Sequence, residues 1–195
     1  MLAAEDVARY FLVNQDPESN EPISNLKIQK LCYYAQGFSL VVLGKALFFE
    51  DIERWDHGPV IPSLWRTYNP NGPNPIPIPE RPLRSDLYDL PTTGLLERVN
   101  QLYGRYSAWE LRNKTHAESP WINTRDHCPM THQSLRNHFE TLSSQFEAAG
   151  APDPESLRHL PENPQVMKDL KRGVEAFKSG RMVAWSEVKE ELGID

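Results

Sequence analysis

The sequence predicts a mainly α fold: a single compact helical domain around a central buried helix, with a small β-hairpin and a C-terminal helical extension. Three observations carry this reading. From Ser24 to Gly44, the residues Ile28, Leu31, Ala35, Phe38 and Val42 recur at spacings of three and four, the period of one helical face. Leu26, Tyr34, Val41 and Leu43 spread that stripe over most of the circumference, the pattern of a helix wrapped by others. The same period returns in several further segments, whereas Leu47–Trp55 is short, aromatic and flanked by turn residues, which reads as one or two short strands.

Taken in order, residues 3–13 form a first helix, with Val7, Tyr10 and Phe11 on one face. Asn14 to Pro22 is a polar loop with two prolines. Ser24 or Asn25 caps the central helix, and Gly44 ends it in a left-handed turn. Gly37 lies inside that helix at a cost of about 1 kcal/mol in propensity, a sign of close contact with another backbone. Asp56-His57-Gly58-Pro59 is a sharp turn, after which Ile61, Leu64, Trp65 and Tyr68 give a short helix. Asn69 to Pro82 holds six prolines in fourteen residues and reads as a stiff, extended surface loop.

A further helix is expected from near Thr93, carrying Leu95, Leu96, Val99, Leu102, Tyr103 and Tyr106. Ser107-Ala108-Trp109-Glu110 is a capping box, so a new helix starts there and ends before Pro120, leaving Trp121 to Pro129 mixed. Leu135, His138, Phe139, Leu142 and Phe146 form another stripe, stopped by Gly150. The organisation is therefore a domain over residues 1–150, then a proline-rich linker and C-terminal helical extension over 151–195. In that extension Asn163-Pro164 starts a helix, Gly180 stops it, and a last short helix follows Ser186.

Charge and composition narrow the function. Asp and Glu outnumber Lys and Arg by 27 to 21, a formal net charge of −6. A protein that neutralises many phosphates needs a basic surface, so nucleic acid is an unfavoured partner. No apolar run approaches the ~20 residues that span a bilayer, so no membrane role is expected. The N-terminus lacks a basic region followed by an apolar one, and the two cysteines, Cys32 and Cys128, cannot build a disulfide framework. A cytoplasmic location is the simplest reading.

Chemistry-bearing motifs are few. No Gly-rich phosphate loop, nucleophile elbow or C-x-x-C pair occurs, and no cofactor is expected. His127, Cys128, His132 and His138 have the right ligand types for zinc but no standard spacing, and read as surface histidines at a helix start. His57 beside Asp56 has the form of a general base, although two residues holding a turn explain the pair. His116 is placed to bond the last carbonyls of its helix. Glu50 and Asp51 are adjacent, so in a strand they point to opposite faces and read as solvated. Trp55, Trp65, Trp109 and Trp121 read as core. Trp185 sits beyond the linker and reads as a contact residue.

The motifs Leu26-Lys27-Ile28-Gln29-Lys30-Leu31 and Tyr33-Tyr34-Ala35-Gln36-Gly37 resemble the first block of the SocA-like antitoxin family, the Panacea domain, and of the related phage-associated GepA proteins. Trp55-Asp56-His57-Gly58-Pro59-Val60 is similar to the second block. Ser107-Ala108-Trp109-Glu110-Leu111 and Thr115-His116-Ala117-Glu118-Ser119-Pro120-Trp121 are similar to the third. The blocks keep the family's order, while residues 151–195 lie outside the resemblance. It implies a mostly helical antitoxin that binds a cognate toxin encoded by a neighbouring gene. In one variant such a protein is an adaptor that hands its toxin to a protease.

The block residues have two readings. As scaffold, Leu26, Gln29, Leu31, Tyr34, Gln36, Gly37, Trp55, Gly58, Pro59, His116, Pro120 and Trp121 pack the central helix on the turn. As toxin contacts, Lys27, Lys30, Asp56 and His57 face a partner, joined by Trp185 and Leu192 of the acidic, amphipathic Met182–Leu192 tail, which docks on a basic toxin surface or else folds back on its own domain. Scaffold is favoured, because most block residues are apolar or turn-forming. The competing classes are a metal-assisted hydrolase using His57, His116 or His127, and a DNA-binding repressor, against which the acidic balance speaks.

Overall fold

The computed structural model describes residues 1–15, 21–80 and 83–148. All but Ala148 belong to the first of the two units into which the chain divides, Met1–Glu147. The expected linker, the helices after Asn163 and Ser186, and the stop at Gly150 lie outside the described residues.

Helix α1 (Ala4–Val13) is followed by α2 (Asn25–Val42), then by strands β1 (Glu53–Trp55) and β2 (Gly58–Val60) and helix α3 (Pro62–Tyr68). After two 3-10 turns come α4 (Leu90–Tyr103), α5 (Ala108–His116), α6 (Ser119–Asn123) and α7 (His132–Ala148). The architecture is thus mainly α with one two-stranded antiparallel sheet among the described residues.

Helix α2 is the hub. Helices α1, α3, α4 and α5 and strand β2 all pack on it, and Phe139 brings α7 onto it through edge contacts with Tyr33, Tyr34 and Phe38. Every residue from Ile28 to Leu40 is buried, polar ones included. Ser24 caps its start by accepting from the Lys27 amide, and Gly44 follows its end at φ +66°. Gly37 does mark a close approach, but to a side chain: a Cβ there would lie 2.2 Å from the Phe139 ring.

Several local expectations are corrected. The second strand is Gly58–Val60, read from sequence as turn and helix start, while Leu47 and Phe48 contribute only an isolated bridge between Leu2 and Phe48. The hairpin turns at Asp56-His57, with Trp55 opposite Gly58 and Glu53 opposite Val60. Helix α4 begins at Leu90, because Asp89 accepts from the Thr92 amide and Pro91 suits the first turn. A short helix, α6, replaces the mixed stretch at Trp121, again with proline (Pro120) in its first turn.

Two more corrections concern loops. The proline-rich stretch does not merely cover the surface: Ile76 is buried and its amide donates to the Ile23 carbonyl at 2.8 Å. Glu50 is not a solvated carboxylate, since both its oxygens accept from the Ala4 amide at 3.0 Å, capping α1 from outside its own segment.

Candidate functional site

The motif residues of α2 act as polar fasteners, each holding one neighbouring segment against the hub. Gln29 accepts from the Ile61 amide at 2.9 Å and donates to Asn25, whose own amide reaches the Trp65 carbonyl. Gln36 accepts from the amides of Leu47 and Phe48 and donates to the Phe48 carbonyl, so one side chain satisfies three backbone groups of an irregular buried loop. Tyr33 and Tyr34 donate their hydroxyls to the two oxygens of Glu118, at 2.7 and 2.8 Å, tying the start of α6 to α2. Burial, reinforced by the Glu118 charge, pushes both phenols far above their usual range.

Lys30 is fully buried and donates from Nζ to the Pro59 carbonyl at 2.9 Å. Burial, with Arg112 nearby, lowers its ammonium to about 7. The same spot explains Gly58, which sits at φ +96° where a Cβ would meet Lys30 Cε and Thr115 Oγ1, both at 2.8 Å. Lys27 is equally buried, with Nζ on the Glu21 carbonyl at 2.6 Å, and burial lowers its pKa as well. Both lysines therefore sit in the scaffold and present no ammonium at the surface. Of the six contact candidates, Asp56 and His57 are exposed, and Trp185 and Leu192 lie outside the described residues. Leu31 and Pro120 are buried, and Leu26 is half-buried.

What the fasteners hold up is a surface of aromatic and cationic side chains on the hairpin, α5 and α6. The Ser107 capping box forms as expected, with the Glu110 carboxylate on the Ser107 amide at 2.8 Å, and it fixes the first turn of α5. Trp109 follows in that turn and is 59% exposed, against the expectation of a core residue. The His57 ring meets its edge at 5.7 Å. His116 does not cap its helix; it stacks on Trp121 at 3.7 Å. Trp121 donates its indole N–H to the Trp55 carbonyl and lies under the Arg54 guanidinium at 4.3 Å.

The electrostatics of this surface are one-sided around His116. Burial first, then the charges of Arg112, Lys30, Arg54 and His57, lower its imidazole to about 4, so it is neutral at pH 7. Sequence reasoning missed Arg54, Arg112 and the exposure of Trp109. The signal available for Arg112 and Trp109 is the spacing Trp109, Arg112, His116, a face of α5 adjoining the one that carries the buried Leu111 and Thr115.

Among the described residues, no group of three or more His, Cys, Asp or Glu is placed to hold a metal ion. His127 packs on Trp55, His132 lies near Gln36, and His138 faces Glu118, so these histidines do not converge. Among the same residues, no helix is long and apolar enough to cross a membrane.

The fastener role makes a prediction. Gln29→Leu keeps the volume and removes the acceptor for the buried Ile61 amide, which is expected to cost about 1.5 kcal/mol. Urea denaturation followed by circular dichroism measures it, and an unchanged midpoint would mean that the amide finds another acceptor.

Comparison with known proteins locates this arrangement. The family described as "Antitoxin SocA-like, Panacea domain" matches residues 28–122, the segment that runs from the hub helix through the hairpin to α6. The chain is also 37% identical over 112 residues to "Antitoxin SocA" of Caulobacter vibrioides (strain NA1000 / CB15N), a match covering 51% of this chain and 58% of that protein. No solved structure matches the chain. The resemblance read from the three sequence blocks is borne out over this segment; these matches do not bear on the GepA proteins.

Proposed function

We propose, on the premise that residues 28–122 are a SocA-like Panacea domain, that this chain is an antitoxin that binds a cognate protein toxin and masks it. The family match carries the reading. The geometry supports it in a second way: the buried polar groups of the family blocks fasten a scaffold, and the scaffold displays Trp109, Asp56 and His57 to solvent. An exposed tryptophan held on a capped helix is the kind of anchor around which binding energy concentrates. No covalent step is needed for that role.

The toxin is the product of an adjacent reading frame, and the interaction takes place in the cytoplasm. Expressing that frame alone should arrest growth, co-expression with this chain should relieve the arrest, and the two proteins should co-purify. Arrest that this chain leaves untouched defeats the proposal. Following toxin abundance in the same cells separates masking from delivery to a protease: masking leaves the toxin level intact, whereas delivery lowers it only while the protease is present.

A further inference from the structure

The proline-rich segment after α3 has a burial pattern of its own. Pro75, Pro77 and Pro79 fix their φ angles, and Asn74, Ile76 and Ile78 each precede a proline, which disfavours the helical conformation. The extended and polyproline II regions remain. A strand would turn Ile76 and Ile78 to the same face. Instead Ile76 is buried, Pro77 is exposed, Ile78 is 48% exposed and Pro79 is half-buried. That is the three-residue period of a polyproline II helix with one edge inward. The inner edge is pinned, because the Ile76 amide donates to the Ile23 carbonyl at 2.8 Å and Pro75 bridges to Ser24. The outer edges carry Pro75 with Ile78, and Pro77 with Glu80.

A polyproline II helix bonds none of its own carbonyls, and it docks in grooves lined by aromatic rings. This chain carries such a surface nearby. Trp55 and Trp65 are half-buried and meet at 5.4 Å, with ring planes 54° apart. The Trp55 indole donates to Glu53, whereas the Trp65 indole N–H has no hydrogen-bond partner among the described residues. The start of α2 brings segment and rings together: Asn25 bonds the Trp65 carbonyl, one residue from the bridge between Ser24 and Pro75. Their charges are opposite. Arg66 follows Trp65, Glu80 ends the segment, and both are exposed without an ion pair among the described residues.

We infer that these features are the two halves of a self-complementary interface, in which the 75–80 segment of one copy of the chain lies on Trp55 and Trp65 of a second copy, and the contact repeats about a two-fold axis. A two-fold interface uses the same patch on both subunits, so ligand and reader must share one end of the molecule. Here the start of α2 holds both. The Trp65 N–H donates to a free carbonyl of the opposite segment, Pro77 and Ile78 cover the rings, and Arg66 pairs with Glu80 of the other copy. The segment is already stiff, so docking it costs little conformational entropy.

The inference does not depend on a toxin, and its test uses the full chain alone. Sedimentation velocity from micromolar to millimolar protein is expected to show a reversible equilibrium between monomer and dimer. Ile78→Asp, which puts a charge on the rings, should weaken dimerisation at least ~10-fold. Trp65→Phe keeps a ring, removes the N–H and should weaken it by less. Arg66→Glu and Glu80→Arg should each weaken it, and the double variant, with the charges exchanged, should recover most of the loss. Circular dichroism of each variant confirms that it is folded.

A parent chain that stays monomeric across this range overturns the inference. So does a dimer that Ile78→Asp leaves intact, or a pair of charge reversals that do not compensate. If a monomeric parent chain binds the product of the adjacent reading frame and Ile78→Asp abolishes that binding, the segment belongs to that partner, and the choice of a second copy is overturned while the antitoxin reading stands. If the chain dimerises through Ile78 but relieves no growth arrest, the antitoxin reading falls and the interface stands.

Discussion

Replacing Gly37 by alanine is expected to destabilise the domain by about 3 kcal/mol, although alanine is the better helix former. The added methyl would lie 2.2 to 2.4 Å from three carbons of the Phe139 ring, well inside van der Waals contact at about 3.5 Å. The ring cannot retreat easily. It is fully buried and held by edge contacts with Tyr33 at 5.4 Å, Tyr34 at 6.0 Å and Phe38 at 4.9 Å. Relief therefore requires α7 to move off α2, which would disturb the stacked Phe38–Phe146 pair as well.

The sign of the effect should reverse when the obstacle is removed. In a Phe139→Ala background, itself weakened by about 3–5 kcal/mol, Gly37→Ala is expected to stabilise by up to about 1 kcal/mol, the propensity gain alone. Urea midpoints of the four proteins in this cycle decide it. A Gly37→Ala effect of the same size in both backgrounds would mean that the glycine does not serve the α7 contact.

This pair also shows why part of the fold could be read from residues and part could not. The stripe Ile28, Leu31, Ala35, Phe38 announces a buried helix because periodicity is a local property. The Ser107–Glu110 capping box is local too, and both its halves form. What α2 does with Gln29, Gln36, Tyr33 and Lys30 is not local. Their partners lie 32, 11, 85 and 29 residues away, so the residues are visible in sequence while their roles are not.

The strand at Gly58–Val60 was hidden for a related reason. Its glycine and proline carry turn signals, and only the pairing with Glu53–Trp55 and the Lys30 bond to Pro59 make it extended. The candidate surface was half legible. Asp56 and His57 stand out as polar residues in a turn, but Trp109 reads as core until α5 is seen to point it outward.

Buried Lys30 gives the domain an unusual pH dependence. In the unfolded chain its ammonium titrates near 10.5, and in the folded one near 7, because burial and the neighbouring Arg112 disfavour the charge. Between these values the unfolded chain binds the extra proton, so raising the pH favours the folded state. Each pH unit within the window contributes at most about 1.4 kcal/mol, and stability is expected to rise by about 2 kcal/mol from pH 7 to 8.5. His116 acts in the same direction at lower pH. Its folded value of about 4 against 6.5 unfolded makes stability rise across that interval. Cys32, Tyr33 and Tyr34 are shifted upward by burial, so the folded chain holds their protons longer and stability turns down as pH passes 9 and then 10. The optimum is thus expected well above neutrality, in a protein whose pI is near 5.5. Lys30→Met should flatten the profile between pH 7 and 8.5 while leaving the His116 slope below 6.5 intact. Urea denaturation across this range reads both limbs at once, and a parent profile that is flat above pH 7 would show that Lys30 keeps its proton in the folded state, by hydration or by a charge partner, and that the hairpin closes over an ammonium ion.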